Sequence, residues 1–198
     1  MEPQDRLPLL QRAFRLLVNE LRPEDKVSIV VYAGSAGVVL TPTSGENKED
    51  NLAALDRLHA GGSTAGGAGL KLAYATAEEN FDKEKNNRVI LATDGDFNIG
   101  ISNTADLTRY IEEKRATGIY LTTIGVGTDN YKDNRMKELA DKGNGNYYYI
   151  DNILEAKKVF VTQMGGTLNA IAKDVKIQIE FNPAYIQGSS LTGNKTAI

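Results

Sequence analysis

The chain has 198 residues, 41% of them hydrophobic and 25% charged, with 19 Gly and 5 Pro. That length suits one α/β domain with a short appendage, and the composition excludes global disorder. There are 23 Lys and Arg against 26 Asp and Glu, a formal net charge of −3. No basic excess exists to neutralise a phosphate backbone, so a nucleic-acid partner is excluded on this balance. Zero Cys and a single His, His59, remove disulfides, thiolate sites and multi-histidine zinc sites. Any metal would be held by oxygen, which points to magnesium, calcium or manganese.

In chain order, the pattern alternates between helices and strands. Asp5 can cap a helix whose apolar stripe is Leu10, Phe14, Leu17, Val18 and Leu21, ended by Arg22-Pro23. Val27–Ala33 is a near-continuous apolar run, as expected of a strand covered on both faces. Val38–Thr41 follows as a hairpin partner at a sheet edge. Glu49–Leu58 reads as a helix. The Gly-rich loop Gly61–Gly67 then opens a helix carrying Leu70, Ala73, Tyr74, Ala77 and Phe81. Arg88–Thr93 is a buried strand running into Asp94-Gly95-Asp96. A helix over Asp106–Thr117, a strand over Ile119–Val126, a helix over Asp133–Lys142 and a short strand over Tyr147–Ile150 complete the series. Ile153–Lys173 reads as helical, interrupted at Gly165-Gly166, and Val175–Phe181 alternates strictly, as a strand with one wet face does. Strands separated by helices imply a three-layer α/β/α sandwich, a doubly wound, mostly parallel sheet with one antiparallel edge strand. The apolar stretches are strand-length and too short to span a membrane, and the N-terminus has no signal-peptide pattern.

In an open parallel sheet, ligands gather outside the carboxyl ends of the strands. Two loops qualify. Gly62-Ser63-Thr64 lies among glycines that let a Thr hydroxyl approach an ion. Asp94 stands directly at a strand's C-terminal end. Taken singly, the first also reads as a tight connection and the second as a turn. His59 reads as a surface residue, Tyr147–Tyr149 as strand packing, and Asp129 and Asp133 as a solvated loop. Asp96 either neighbours the site or caps its turn.

Together, Gly61–Leu70 and Val89–Gly95 resemble the second and third motifs of the von Willebrand factor type A domain family, with Ile124-Gly-Val-Gly127 similar to a late strand of that family. The resemblance covers residues 4–173. Through Leu7–Leu10, Ala53–Leu58 and Ala140–Asn146 it is similar in particular to the bacterial YfbK-like proteins. It implies a domain over residues 1–173 and the start of a C-terminal region over 174–198. It also implies a non-enzymatic module that recruits a protein partner through an acidic residue at a metal-ion-dependent adhesion site, or MIDAS, with Thr64 and Asp94 as the metal positions and Mg2+ (or Mn2+ or Ca2+) as the ion. The cell envelope or periplasm of a bacterium is the implied location, with no direct membrane insertion.

One motif of the family is missing. No Asp in the chain is followed by Ser at the second and fourth positions. The resemblance therefore implies that the chain starts inside that first loop, without the central strand and three of the oxygen ligands. Magnesium takes about six oxygens in near-octahedral geometry, so Thr64 and Asp94 alone imply weak or absent binding. An unfilled central slot would expose unpaired backbone on two strands. Val175–Phe181 is the expected occupant, in its own sheet or in a strand-swapped homo-oligomer. The alternative function is a magnesium-dependent phosphatase of the haloacid-dehalogenase type, because Val89–Asp96 also reads as an apolar strand ending in Asp-x-Asp, with Asp94 as nucleophile and Asp96 as acid/base.

Overall fold

A computed structural model describes residues 6–32, 36–61, 66–94, 104–127 and 134–164. Helix α1 (Leu7–Glu20) is followed by strands β1 (Lys26–Val31) and β2 (Gly37–Ser44), then α2 (Lys48–Asp56) and α3 (Gly66–Glu79). Next come β3 (Asn87–Thr93), α4 (Thr104–Ala116), β4 (Ile119–Val126), α5 (Asn134–Lys142) and β5 (Tyr147–Ile150). The last described element is α6 (Ile153–Lys157), which widens into a π-helical segment over Lys158–Gln163. Strands β3, β4 and β5 form a parallel sheet in that order, and β1 and β2 form an antiparallel pair. Helices cover both faces, so the expected α/β/α sandwich with an antiparallel edge is what the chain adopts.

Alternation along β3 divides the core. Val89 and Leu91 face a cluster with Leu70 and Tyr74 of α3, Leu107 and Ile111 of α4, and Met136 and Leu139 of α5. Ile90 and Ala92 face the other side, against Leu10 and Leu17 of α1 and Val159 and Phe160 of the π segment. There Phe14 and Phe160 pack with ring centroids 5.3 Å apart. A period of two on the strand thus feeds two separate layers.

Helix α1 starts at Leu7 with Pro8 in its first turn, where a missing N–H costs nothing, and Arg6 at the N-cap position makes no side-chain capping bond. Its other end is closed from a distance. Lys48 Nζ, at the start of α2, donates to the carbonyl oxygens of Val18, Asn19 and Leu21. A cation on those orphan carbonyls also suits the negative end of the helix. Strand β2 runs on through Pro42 to Ser44, three residues past the expected end at Thr41. Proline is tolerated there because an edge strand does not need every N–H.

The reading of the Val27–Ala33 run as a strand covered on both faces is corrected. Val27 through Val31 are all half-buried and none is fully buried. The physical reason is the sheet order. β1 pairs with β2 alone among the described residues, and its other edge does not meet β3. Helix α3 nonetheless packs on both β1 and β3, and the Tyr32 hydroxyl donates to the Ala92 carbonyl oxygen at 2.7 Å. This bond links the end of β1 to the end of β3, although the two strands do not pair among the described residues. Val175–Phe181, the expected occupant, lies outside the described residues, as does the whole of 165–198.

Candidate functional site

Asp94 follows the last residue of β3 and stands at the C-terminal edge of the parallel sheet. Strand pairing fixes its height, because Thr93 lies opposite Gly125 of β4, which in turn lies opposite Tyr149 of β5. Arg6 Nη1 donates to Asp94 Oδ2 at 3.2 Å, with the side chains 28% and 24% exposed. Burial pushes the Asp94 carboxyl up, but hydrogen bonds to its ionised form, that of Arg6 included, and nearby positive charge hold it below the usual carboxylate range. Asp94 is thus an ionised carboxylate with a cation already on one oxygen.

Tyr32 organises the same edge. Its ring lies against α3 at Gly69, where the helix comes so close that any added Cβ would overlap the Tyr32 Cβ. Glycine there lets the helix reach the end of β1. Burial, followed by the Asp94 charge, raises the Tyr32 phenol to about 12 against a hydrogen bond with Thr93. Tyr32 therefore ties the first turn of α3 to the end of β3. Gly66, the first residue of that turn, comes two residues after Thr64 in the chain.

Thr64, Asp96, Asp129 and Asp133 all lie outside the described residues. Of the expected metal positions, the structure describes Asp94 alone. Among the described residues no group of three or more His, Cys, Asp or Glu side chains gathers as metal ligands would. One carboxylate, already neutralised by a guanidinium, does not make the octahedral oxygen shell that magnesium requires. The described donor set does not fit a resident ion by itself.

Sequence reasoning missed Arg6. Its partner is 88 residues away, and the apolar periodicity that reveals α1 says nothing of where the residue before the helix points. It also missed Tyr32, which read as one more apolar residue of a strand.

A carboxylate at the end of a parallel strand, a glycine-opened helix beside it and helices on both faces define a class. The chain belongs to the von Willebrand factor type A domain family, whose model matches residues 3–162. Domains of this family are typically non-enzymatic protein-interaction modules. A second model, the C-terminal region of the protein YfbK, matches residues 166–196. The chain is similar to YfbK of Escherichia coli (strain K12), at 49% identity over 186 residues, 94% of this chain and 32% of that protein. It thus spans about a third of that relative. Among solved structures it resembles an aerotolerance-related membrane protein of Bacteroides fragilis, with a TM-score of 0.63, 24% identity and coverage of 82% of this chain and 91% of that one. It also resembles proximal thread matrix protein 1 of the mussel byssus, in a form with a zinc-occupied MIDAS motif, with a TM-score of 0.57, 22% identity and coverage of 83% and 39%. The two structural likenesses show the fold.

Proposed function

We propose that the chain is a non-enzymatic protein-binding module that docks an acidic residue of a partner protein at the C-terminal edge of its sheet. The supporting observation is the ionised, half-buried Asp94 at the end of β3, held by Arg6 beside the first turn of α3. Asp94 and Thr64 are the residues of this chain that would contribute to a MIDAS-type ion, Asp94 with charge and Thr64 with a neutral hydroxyl. Such an ion would supply positive charge for the partner's carboxylate. The zinc in the mussel protein's MIDAS motif supports an ion at this edge. Two ligands of one chain hold it weakly, and Arg6 competes for the same carboxylate.

An envelope location is the proposal that the membrane-protein relative supports. No helix among the described residues is long and apolar enough to cross a membrane. We extend the proposal to a domain over residues 1–173 with a C-terminal region from 174, and the edge of β1 left unpaired among the described residues supports a strand-swapped homo-oligomer through Val175–Phe181 as a second mode of association. Sedimentation over a concentration series tests that mode.

Manganese, a paramagnetic stand-in for magnesium, tests the site itself. It should broaden the amide resonances of Thr93, Asp94 and Gly66–Leu70 before any others. Broadening centred elsewhere would refute the assignment. A phosphomonoester assay should remain at background, unchanged by Asp94→Asn; turnover lost in that variant would favour a phosphatase instead.

A further inference from the structure

Helix α5 ends in a turn closed by asparagine rather than glycine. Asn144 has a φ of 51°, the one positive value at a non-glycine residue among the described residues. Its amide donates to the Asp141 carbonyl oxygen at 3.3 Å, and the Gly145 amide donates to that of Ala140 at 2.9 Å. These two bonds make a Schellman cap, with Asn144 in the left-handed position. The cap is pressed onto β4. A Cβ at Gly143 would overlap the Leu121 Cβ, and one at Gly145 would overlap the Leu121 carbonyl oxygen. The Gly143 carbonyl oxygen accepts from the Leu121 amide and that of Asn146 from the Thr123 amide, each at 3.0 Å. The turn thus sets the register in which β5 enters the sheet.

Asn144-Gly145 is also the one Asn-Gly step in the 198 residues. Such a pair is chemically reactive. The backbone nitrogen of the second residue attacks the side-chain Cγ of the first, losing its proton as ammonia leaves. Water then opens the cyclic imide at either carbonyl, to aspartate or to its β-linked isomer. The sum is an amide plus water giving a carboxylic acid plus ammonia. Glycine favours the attack because no side chain shields its nitrogen and its backbone turns freely. Asn144 is exposed, so water reaches it. The fold opposes the first step. The attacking nitrogen belongs to Gly145, whose N–H is held by Ala140, and losing the proton means losing that bond.

We propose that Asn144 is a hydrolytic modification site gated by the cap of α5. Water converts its amide to an acid when the turn opens, and the β-linked product unseats β5. That product puts one more carbon into the main chain between Gly143 and Gly145, where Leu121 leaves no room for a single Cβ. The two cap bonds then no longer close together, and β5 loses the register they set. The aspartate product keeps the main chain and adds charge alone.

Incubation of the 198-residue chain in mildly alkaline buffer tests this, read by mass spectrometry of the tryptic peptide 143–157 and by isoaspartyl methyltransferase labelling of that peptide. The same peptide free in solution is the ungated reference. Asn144 should convert about tenfold or more slowly in the folded chain than in the free peptide, as a local opening step requires. Asn144→Gly, which suits the left-handed position, should fold and show no conversion there. Chains carrying the β-linked label should lose amide protection in Tyr147–Ile150 and melt at a lower temperature, whereas Asn144→Asp should keep both. Equal rates in the folded chain and the free peptide would overturn the gate. A folded chain that acquires no acid at Asn144 over many lifetimes of the peptide would overturn the site, and full β5 protection in the β-linked form would overturn its effect on the sheet.

Discussion

Arg6 and Asp94 stand 88 residues apart in the chain and meet at 3.2 Å across the top of the sheet. The residue that precedes α1 thereby brings a positive charge to the edge proposed above to carry the adhesion site. Each carries part of the other's charge, and any ion that Asp94 helps to hold has to share that carboxylate with a guanidinium. The Arg6–Asp94 ion pair makes that competition measurable.

Arg6→Ala removes one cationic donor from Asp94 Oδ2. A partly exposed ion pair is worth about 0.5–1 kcal/mol after solvent screening, so manganese should bind about 2- to 5-fold more tightly in the variant. Electron paramagnetic resonance titration of free manganese reads this directly. Weaker binding in Arg6→Ala would mean that Arg6 supports the ion through the fold rather than competing with it.

Tyr32→Phe removes the bond to the Ala92 carbonyl and should cost about 1 kcal/mol. It should also change the alkaline limb of stability. The Tyr32 phenol is raised to about 12 in the folded chain, mainly by burial, against about 10 in an unfolded one. A raised pKa gives stability that is fully present below pH about 10 and is lost as pH rises to about 12. The loss amounts to at most about 2–3 kcal/mol. Urea denaturation across that window should show a shallower decline for Tyr32→Phe than for the parent chain.

Gly145→Ala should destabilise by about 1–3 kcal/mol or more, because the added methyl overlaps the backbone carbonyl of Leu121 rather than a movable side chain. Gly37→Ala is the control. A Cβ there meets nothing within 4 Å, and a loss of unfolded-state freedom should leave it neutral or more stable by about 0.4–1 kcal/mol. The denaturation midpoint is expected to fall in Gly145→Ala and to hold or rise in Gly37→Ala.

Amide hydrogen exchange should separate the two sheets. The amides of β1 that point away from β2 have no partner among the described residues, and Val27–Val31 are only half-buried. They should exchange far faster than those of β4, which is paired on both edges and buried at Leu121 and Ile124. Equal protection of the two strands would show that the second edge of β1 is covered.

Much of this was legible in residue order, for a reason that particular elements make plain. Ile119–Val126 and Tyr147–Ile150 occupy the bounds that their apolar runs and flanking glycines predict, because strand and turn chemistry are local. Asp94 at a strand's end was readable for the same reason. The half-burial of Val27–Val31 was not, since an apolar run reports what a strand can bury and not whether a neighbour lies beside it. Lys48 on the end of α1 and Arg6 on Asp94 were equally hidden. Each is a charged side chain placed by tertiary packing, and no periodicity encodes its partner.

Calorimetric titration of magnesium into the 198-residue chain, beside Asp94→Ala and Thr64→Ala, tests the binding-edge account most directly. Two protein ligands and a competing arginine predict a dissociation constant of about 0.1–1 mM or weaker, as for sites poor in charged ligands, with no measurable binding in Asp94→Ala. Sub-micromolar binding by the parent chain, or binding that survives loss of the Asp94 carboxylate, would contradict it.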